Sequence, residues 1–403
     1  MSIGRPSGPR NEHADPVRVV RLTPPGRGAV AVVLVEGSRA TEIVAACFSS
    51  RSGQPLDEVP LERITLGRWG GPEGEELIVC RTTSQRVEVH PHGGEAAVEN
   101  VVQRLVELGA VECSWQAWIG SDEGCPLRAA ARIALAEAPT RRAAAVLLDQ
   151  FHGALRADLQ QAIDLLEQDA SAARQILARL SRRGELGMHL ARPWRVVLAG
   201  APNVGKSSLV NALVGYERAI VYEQPGTTRD VVAARTAIAG WPVELSDTAG
   251  LRESSDPLEA EGVRLAELLL TRADLVVYVL DATLPPAGLP RQLTVARNAG
   301  RQTVVVLNKV DLLDERQREA IRQFTNERVL CTSARTREGI DGLLDAIASA
   351  LVPDPPTPGE AVPFERHHCE QIDAALASLD ASDVPSTAAI LHGLLTAHSS
   401  SHS

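Results

Sequence analysis

The stretch Gly200-Ala-Pro-Asn-Val-Gly-Lys-Ser207 matches the pattern Gly-x-x-x-x-Gly-Lys-Ser/Thr at every fixed position. A short apolar run, Arg195-Val-Val-Leu-Ala199, precedes it, and Ser208-Leu-Val-Asn-Ala-Leu-Val214 follows with helical spacing and a stop at Gly215. This order predicts a strand, a loop and a helix. Backbone N–H groups of such a loop surround phosphate oxygens, and the helix N-terminus adds its dipole. The stretch therefore predicts a nucleotide-phosphate site.

Several residues of this loop have predicted contacts to the nucleotide. We expect Lys206 to neutralise the β- and γ-phosphates and the hydroxyl of Ser207 to coordinate Mg²⁺. The other predicted nucleotide contacts in the loop are Asn203, Val204, Gly205 and Ser208. The alternative interpretation is a glycine-rich turn that matches the pattern by chance.

Two further motifs are typical of a switch that responds to the γ-phosphate. Asp247-Thr-Ala-Gly250 ends an apolar run, where its aspartate can hold Mg²⁺ through water and its glycine amide can contact the γ-phosphate. Gly226-Thr-Thr-Arg-Asp230 lies between this motif and the phosphate-binding loop. There Thr227 and Thr228 are predicted to contact the nucleotide, with Thr228 also bonded to Mg²⁺.

The last two motifs predict which base is bound. Asn308-Lys-Val-Asp311 follows an apolar run, and its aspartate can accept hydrogen bonds from guanine N1–H and the 2-amino group. Adenine offers neither donor in that arrangement. Further on, a backbone amide of Ser333 or Ala334 can reach the guanine carbonyl oxygen. Five motifs in this order predict a protein that binds GTP, against the alternative of an ATP-using protein with the same loop.

The residue after the Asp247-Thr-Ala-Gly250 motif bears on the mechanism of hydrolysis. A glutamine there would orient the attacking water, but this chain has Leu251, which cannot. Catalysis therefore needs another polar group or an added cation. The stretch from Arg252 to Glu259 supplies candidates, and the alternative is that its charged residues are solvated surface.

Composition limits the class of protein. The chain has 403 residues, 44% of them hydrophobic, and a formal net charge of -10, which argues against general nucleic-acid binding and leaves RNA contact to a local patch. The six cysteines include no Cys-x-x-Cys pair, as expected for free thiols in a reducing compartment. No apolar run approaches the roughly 20 residues of a membrane helix, and residues 1–15 have no apolar signal core. We therefore expect a cytoplasmic protein without membrane contact.

Apolar patterning predicts three kinds of domain: an α+β domain, an all-α helical domain, and an α/β P-loop GTPase domain with a parallel-rich sheet covered by helices on both faces. The predicted boundaries are a disordered leader at 1–16, the α+β domain at 17–119, the first helical part at 120–192, the GTPase domain at 193–352, and a linker with further helices at 353–403. Within the α+β domain, strands are predicted at 17–22, 28–35, 76–80 and 86–90 and helices at 40–48 and 95–108.

The remaining elements are predicted from the same patterns. The helical part spans 127–183, with several turns at 155–180, and 184–193 links it to the GTPase domain. In the GTPase domain, strands are predicted at 243–246, 275–280, 303–307 and 329–332, and helices around 256–271, 286–299, 314–326 and 339–351. A stiff linker at 353–359 is followed by predicted helices at 365–379 and 386–398.

Over residues 17 to about 380 the chain resembles the tRNA modification GTPases of the MnmE (TrmE) type, within the Era-like GTPases. The resemblance lies in the motifs that begin at Gly200, Gly226 and Asp247, and in two N-terminal loops, Thr23-Pro-Pro-Gly-Arg-Gly28 and His90-Pro-His-Gly-Gly94. Taken alone, the two loops are better explained as ordinary turns than as a binding site. The family's opening and its His-Cys-His-Gly-Gly stretch resemble them, which favours a binding function.

The resemblance implies several properties beyond GTP binding. The N-terminal domain would form a homodimer and bind a tetrahydrofolate derivative, with Arg27, His90 and His92 as the candidate contacts. The GTPase domain would be inserted into the helical domain, and K⁺ would stimulate hydrolysis, with Asn203 as its ligand. Glu259 would organise the attacking water through a second water, with Arg252 as a further catalytic candidate. The implied partners are tRNA and a flavoprotein of the same pathway.

Two departures from the family pattern affect the expected activity. Gly124-Cys-Pro-Leu-Arg-Ala-Ala130 stands where the family has a Pro-Gly-Glu-Phe-Thr segment, and the terminal Cys-x-Gly-Lys motif is absent. We therefore expect a shortened C-terminal helical part and, without that motif, no complete tRNA modification by this chain alone; Cys369 is either an ordinary helix thiol or a substitute for the missing cysteine. The leading hypothesis is a GTPase acting in modification of the tRNA wobble uridine. The alternative is a GTP-dependent regulatory switch on RNA or ribosomes that has lost the modification chemistry.

Overall fold

The computed structural model describes residues 16–26, 28–215, 233–247, 270–284, 302–324 and 329–396. By its internal contacts the chain divides into two compact units, one up to Asp122 and one from Glu123 onward. Each unit has its own sheet and its own apolar core. In the described part of the chain, none of the helices is both long and apolar enough to cross a membrane.

The first unit is a seven-stranded sheet with three helices. Its strands are β1 (Arg18–Arg21), β2 (Val33–Glu36), β3 (Phe48–Ser50), β4 (Ile64–Trp69), β5 (Glu75–Arg81), β6 (Arg86–His90) and β7 (Val111–Cys113). Its helices are α1 (Ala40–Ala45), α2 (Glu95–Glu107) and α3 (Trp115–Asp122). The strand order is β3-β4-β5-β6-β2-β1-β7, antiparallel except for the parallel pair of β1 and β7.

The core of this unit consists of apolar side chains that alternate along the strands and recur at helical spacing along α2. Val87 and Val89 of β6 are both fully buried, and they belong to the same cluster as Val98, Val101 and Leu105 of α2. The predicted strands at 76–80 and 86–90 and the helix at 95–108 are thereby confirmed. The α+β character predicted for this region agrees with its sheet and helices.

Two predicted elements of the first unit are wrong in extent. The helix expected at 40–48 ends at Ala45, because Phe48 pairs with Trp69 as the start of edge strand β3. The strand expected at 28–35 covers only Val33–Glu36, since the preceding residues form a loop bonded to residues 91–93. Strands β4 and β7 and helix α3 were not predicted.

The second unit combines a helical bundle with a six-stranded sheet. Its helices are α4 (Pro126–Glu137), α5 (Arg141–Phe151), α6 (Ala154–Leu165), α7 (Ala170–Met188), α8 (Lys206–Val214), α9 (Glu315–Phe324), α10 (Ile340–Leu351), α11 (Arg366–Asp380) and α12 (Val384–Thr396). Helix α7 packs against α11, and α12 packs against α4 and α6. Helices that precede the sheet in sequence thus share a core with helices that follow it.

The predicted helical stretch at 155–180 is interrupted, and the predicted link at 184–193 begins too early. Helix α6 ends at Leu165, and Asp169 caps α7 by accepting a hydrogen bond from the Ala172 N–H at 2.9 Å. Helix α7 then continues through Gly184 to Met188, because its apolar face stays buried against α11. The interaction with α11, which lies far along the chain, outweighs the local preference of glycine for a helix end.

The sheet of the second unit is mixed. Its strands are β8 (Trp194–Ala199), β9 (Ala233–Ile238), β10 (Trp241–Asp247), β11 (Leu275–Asp281), β12 (Thr303–Asn308) and β13 (Val329–Cys331). The order is β13-β12-β11-β8-β10-β9, parallel throughout except for β9, which runs antiparallel to β10 at the edge. The four strands and the two helices predicted at 314–326 and 339–351 are confirmed, whereas β9 was not predicted. The helix predicted at 286–299 and most of the one at 256–271 lie outside the described residues.

The close approach of α7 to the segment before α11 gives a prediction about Gly187. A Cβ atom at this position would lie 1.6 Å from the carbonyl oxygen of Pro363, so one of the two backbones must move. We expect Gly187→Ala to lower the free energy of unfolding by about 3 kcal/mol. Gly342→Ala in α10 is the matched control, since a Cβ there meets nothing within 4 Å, and it should stabilise by about 1 kcal/mol. Urea unfolding of both variants measures the difference, and a neutral Gly187→Ala would contradict it.

Candidate functional site

The phosphate-binding stretch has the predicted context of strand, loop and helix. Strand β8 ends at Ala199 and helix α8 begins at Lys206, with Gly205 between them at φ 95°. A Cβ atom on Gly205 would lie 2.4 Å from Nδ2 of Asn308, so both the left-handed backbone and the close approach require glycine. The loop therefore lies at the carboxyl end of β8, where parallel α/β sheets bind ligands.

Two predicted side chains of this loop are held by neighbouring oxygens. The Lys206 ammonium group is buried and donates to the carbonyl oxygens of Gly200 at 3.2 Å and Ala201 at 2.9 Å. The Ser207 hydroxyl donates to Oδ2 of Asp247 at 2.5 Å. Asp247 ends β10, which lies beside β8, so the sheet itself brings the two oxygen ligands together. A hydroxyl and a carboxylate at this spacing can serve a hard cation such as Mg²⁺.

Asn308 joins three loops at the carboxyl edge of the sheet. Its side chain is 2% exposed, and Nδ2 donates to the carbonyl oxygen of Val204 at 2.9 Å. Its Oδ1 accepts from the Ala334 N–H at 3.1 Å and from the Thr332 hydroxyl at 3.4 Å. All three predicted motifs at 200–207, 308–311 and 333–335 therefore meet through one buried amide.

Lys309 connects the same loops through an ion pair that the sequence did not predict. Its ammonium group donates to the carbonyl oxygen of Asn203 at 2.6 Å and to Oδ2 of Asp281 at 2.7 Å. Burial acts to raise the pKa of Asp281, but hydrogen bonds from Lys309 and Thr283 outweigh it and hold that pKa below its ordinary value. The signal that could have found Asp281 is its position at the end of β11, next to β8 and β12.

The carboxylate of Asp311 is held in place from two sides. The Ser333 hydroxyl donates to Oδ1 at 2.6 Å, and the Arg335 guanidinium donates to Oδ2 at 2.9 Å. The hydrogen bond from Ser333 lowers the pKa of Asp311, and the charge of Arg335 lowers it further despite an opposing effect of desolvation. Asp311 is thus an ionised acceptor, as a guanine-binding carboxylate must be. The contribution of Arg335 was not predicted.

Several predicted site residues lie outside the described part of the chain. They are Arg27, Thr227, Thr228, Gly250, Arg252 and Glu259. Their predicted roles in binding Mg²⁺, nucleotide, folate or the attacking water stay predictions. Ser208 and Asn203 are described, and both have exposed side chains at the loop and the start of α8.

The two N-terminal loops that resemble the family's folate-binding segments lie side by side. The Ala31 N–H donates to the carbonyl oxygen of Pro91 at 2.9 Å, and the Gly28 N–H donates to that of Gly93 at 3.1 Å. In the second loop, Nδ1 of His92 lies 2.7 Å from a carboxylate oxygen of Glu75, the first residue of β5. His90 lies at the end of β6, with Nε2 at 3.3 Å from Glu88.

Cys369 lies in the first turn of α11, where it packs against α7. Its thiol is half-buried, and burial raises the pKa of Cys369 to about 11. A thiol with that pKa remains protonated at neutral pH, so it is a weak nucleophile. This environment favours an ordinary helix thiol over a substitute for the family's terminal cysteine.

Comparison with known proteins agrees with these motifs. The family model described as 50S ribosome-binding GTPase matches residues 195–309, which contain the strand, loop and helix of the phosphate-binding segment. The predicted GTP hydrolase is thereby confirmed. Among solved structures, Era of Aquifex aeolicus bound to GDP and AlF4⁻ matches 41% of this chain and 60% of its own chain at 28% identity, with a TM-score of 0.31.

Whole-chain relatives extend the similarity beyond the GTPase segment. The tRNA modification GTPase MnmE of Geobacillus kaustophilus is 34% identical over 81% of this chain and 80% of its own length. MnmE of Symbiobacterium thermophilum is 32% identical over 88% of both chains. This extent of similarity covers the N-terminal and helical regions as well as the phosphate-binding loop. The chain belongs to the MnmE family of tRNA modification GTPases.

Proposed function

We propose that this chain is a Mg²⁺- and K⁺-dependent GTPase that acts in modification of the wobble uridine of tRNA. The observation that carries the proposal is the buried Asn308 amide, which bonds the phosphate-binding loop at Val204 to the guanine-side loop at Ala334. Because Asn308 is hydrogen-bonded to both loops, it can keep the phosphate-binding loop and the base-binding loop at a fixed distance that suits one nucleotide. The named relatives are tRNA modification GTPases, which supports the choice of tRNA as the substrate class.

In this proposal each loop binds a different part of GTP. The backbone amides from Asn203 to Ser208 surround the phosphates, and Lys206 exchanges its carbonyl partners for phosphate oxygens. Asp311 accepts from guanine N1–H and the 2-amino group, and Ser333 and Ala334 offer amides to the guanine carbonyl. Asn308 and Lys309 hold these loops together. Ser207, Asp247 and Thr228 would hold Mg²⁺, and Thr227 and Gly250 are the proposed contacts of the γ-phosphate.

K⁺ is proposed to bind at Asn203, beside the phosphates. Asn203 has an exposed side chain and a backbone at φ 60°, and its carbonyl oxygen is already held by Lys309. Its side-chain oxygen is therefore available for a cation next to the transferred phosphoryl group. A monovalent cation there would stabilise the negative charge of the transition state, which Leu251 cannot do.

Glu259 is proposed to position the attacking water, with Arg252 as a second catalytic candidate. We expect Glu259→Ala to lower kcat by a factor on the order of 10² while the Kd for GTP changes little, because a water-positioning group acts mainly in the transition state. Glu315→Ala, an exposed acid in the first turn of α9, is the control. Single-turnover hydrolysis and nucleotide titration separate the two quantities, and an equal loss of affinity and kcat would assign Glu259 to nucleotide binding.

The arrangement of domains is also proposed from the contacts of the second unit. The packing of α7 on α11, and of α4 and α6 on α12, supports one helical domain interrupted by an inserted GTPase domain. The proposed boundaries are 17–119 for the N-terminal domain, 120–192 and 353–403 for the two parts of the helical domain, and 193–352 for the GTPase domain.

The N-terminal domain is proposed to form a homodimer and to bind a tetrahydrofolate derivative as carbon donor. The hydrogen bonds of Gly28 and Ala31 to residues 91–93 support this, since His90 and His92 belong to the same stretch as their partners. Arg27 is the third proposed contact and lies outside the described residues. A flavoprotein of the same pathway is the proposed protein partner, and the cytoplasm the proposed location.

The test is complementation in a bacterium that lacks its own tRNA modification GTPase. Wild-type chain, Asp311→Asn and an empty vector are expressed to equal levels, and tRNA nucleosides are measured by mass spectrometry. Modified wobble uridine in the wild type alone is the result expected if the chain acts in modification, and it would overturn the expectation, drawn from the missing terminal Cys-x-Gly-Lys motif, that this chain does not complete the modification. Unmodified tRNA, with GTP hydrolysis intact in the purified protein, would overturn the modification function and favour a GTP-dependent switch on RNA or ribosomes.

A further inference from the structure

A cluster of metal-ligating side chains lies where helix α11 begins, outside the nucleotide site. Glu365 is the extended residue just before the helix, at φ -125° and ψ 152°, and His367 and His368 are in the first turn. Oε2 of Glu365 lies 3.2 Å from Nδ1 of His367 and 3.8 Å from Nε2 of His368. One ligand atom from each of the three residues lies within 4.8 Å of the others.

His368 is a buried histidine with one unpaired ring nitrogen. It is 1% exposed, its Nδ1 has no hydrogen-bond partner, and its Nε2 is beyond hydrogen-bond distance from Glu365. Its ring packs edge-on against Phe364 at 4.8 Å and against His367 at 4.2 Å between ring centroids. One ion can bind only one nitrogen of an imidazole ring, so an ion at Nε2 would give that nitrogen a partner and would leave Nδ1 unpaired.

We propose that Glu365, His367 and His368 form a binding site for a transition-metal ion of the Zn²⁺ class. Two imidazoles and one carboxylate suit Zn²⁺, whereas Mg²⁺ and Ca²⁺ prefer oxygen ligands alone. Bonds of roughly 2.0–2.1 Å in tetrahedral geometry place neighbouring ligand atoms about 3.3 Å apart. The 3.2 Å separation already matches this spacing, whereas the 3.8 Å separation must shorten by about 0.5 Å on binding, and the two histidine nitrogens lie within 4.8 Å of each other.

A histidine binds a metal ion through one ring nitrogen, and Nε2 of His368 is the nitrogen that lies 3.8 Å from Oε2 of Glu365. Three protein ligands leave a fourth position for water or for an outside group. The competing explanation is a surface contact between His367 and Glu365 that binds no metal ion.

The position of the site suggests what a bound ion does. The segment before α11 is already fastened to α7, because Arg183 pairs with Glu360 at 2.8 Å and donates to the carbonyl oxygen of Ala361 at 3.2 Å. An ion at Glu365 would join the end of this segment to the first turn of α11. Since the ion binds only the folded arrangement, it would raise the melting temperature of the unit.

The experiment is zinc titration of the full-length chain, without a histidine tag and stripped of metal, against a chromophoric chelator. Saturating Mg²⁺ and GDP keep zinc away from the nucleotide site. The variants are Glu365→Gln and His367→Gln, and the matched control is His392→Gln, an exposed histidine on α12. Circular dichroism checks that each variant is folded, which avoids reliance on the buried His368.

The expected result is one zinc ion per chain in the wild type and in His392→Gln, together with a zinc-dependent rise in melting temperature. Both site variants should bind zinc at least roughly 10- to 100-fold more weakly, since even outer-shell partners contribute that much. Equal zinc affinity in the wild type and His367→Gln would overturn the proposal. The contact between Glu365 and His367 would then be an ordinary surface contact. An equal loss of zinc affinity in His392→Gln would also overturn the proposal, because it would show that zinc binds adventitiously to surface histidines.

Discussion

Asp311→Asn is expected to reduce the preference for GTP over xanthosine triphosphate by a factor on the order of 10⁴. The amide would donate where guanine N1–H and the 2-amino group also donate, and the buried groups around the base would lose their partners. In the xanthine base, a carbonyl oxygen replaces the 2-amino group, so the same amide then finds an acceptor. A change of preference from GTP to xanthosine triphosphate therefore tests the contact of residue 311 with the base rather than the stability of the loop.

The measurement is the Kd of each nucleotide for the wild type and the variant by isothermal titration. Asp345→Asn is the matched control, because it makes the same change at an exposed position of α10. The amide oxygen can still accept from Arg335, and the Ser333 hydroxyl can accept from the amide NH₂ instead of donating, so the variant should remain folded. Retained GTP affinity in Asp311→Asn would refute the assignment of this carboxylate to guanine.

Replacing Na⁺ by K⁺ at equal ionic strength is expected to raise the rate of GTP hydrolysis by a factor on the order of 10²–10³, as for other groups that stabilise transition-state charge. The reason is that Leu251 provides no water-orienting amide, and Asn203 offers a side-chain oxygen beside the phosphates. Steady-state hydrolysis in the two salts, with saturating GTP and Mg²⁺, measures the ratio. Equal rates would remove K⁺ from the mechanism.

Two variants at Asn203 separate the effect of losing the K⁺ ligand from the effect of backbone strain. Its backbone is left-handed at φ 60°, so Asn203→Ala removes the oxygen and also adds strain. Asn203→Gly removes the same oxygen without strain, and both variants should lose the K⁺ response. Asn211→Ala, on an exposed position of α8, should keep it. A K⁺ response that survives in Asn203→Gly would place the cation on other ligands.

Local patterns predicted the parts of the fold that local chemistry determines. The strand, loop and helix around Gly200 are encoded by contiguous residues, and so are α2 and α10. Strand β9 was missed because Ala233-Ala-Arg-Thr-Ala-Ile238 has little intrinsic preference for a strand and is held by its antiparallel partner β10. Strand β4 was missed because its apolar Ile64 faces solvent, 70% exposed, so its pattern does not indicate a core.

The candidate site likewise contains side chains that local patterns predicted and contacts that they did not. The side chains that were predicted belong to motifs with fixed spacing, such as Asn308 and Asp311. The contacts that hold them together are not visible in any motif, because Asn308 bonds to a residue 104 positions away and Lys309 pairs with Asp281 across neighbouring strands. Strand order determines these contacts, and strand order is a property of the folded sheet.

The packing of α7 on α11 has a consequence for synthesis of the chain on the ribosome. Leu177 and Leu180 of α7 are fully buried in the cluster that also contains Ile372 of α11. Helix α7 ends at Met188 and α11 begins at Arg366, so at roughly 5–20 residues per second its partner is translated about 10–40 seconds later. During that interval the part of the apolar face of α7 that α11 covers has no partner on the nascent chain, and chaperones that bind apolar segments would find their target there.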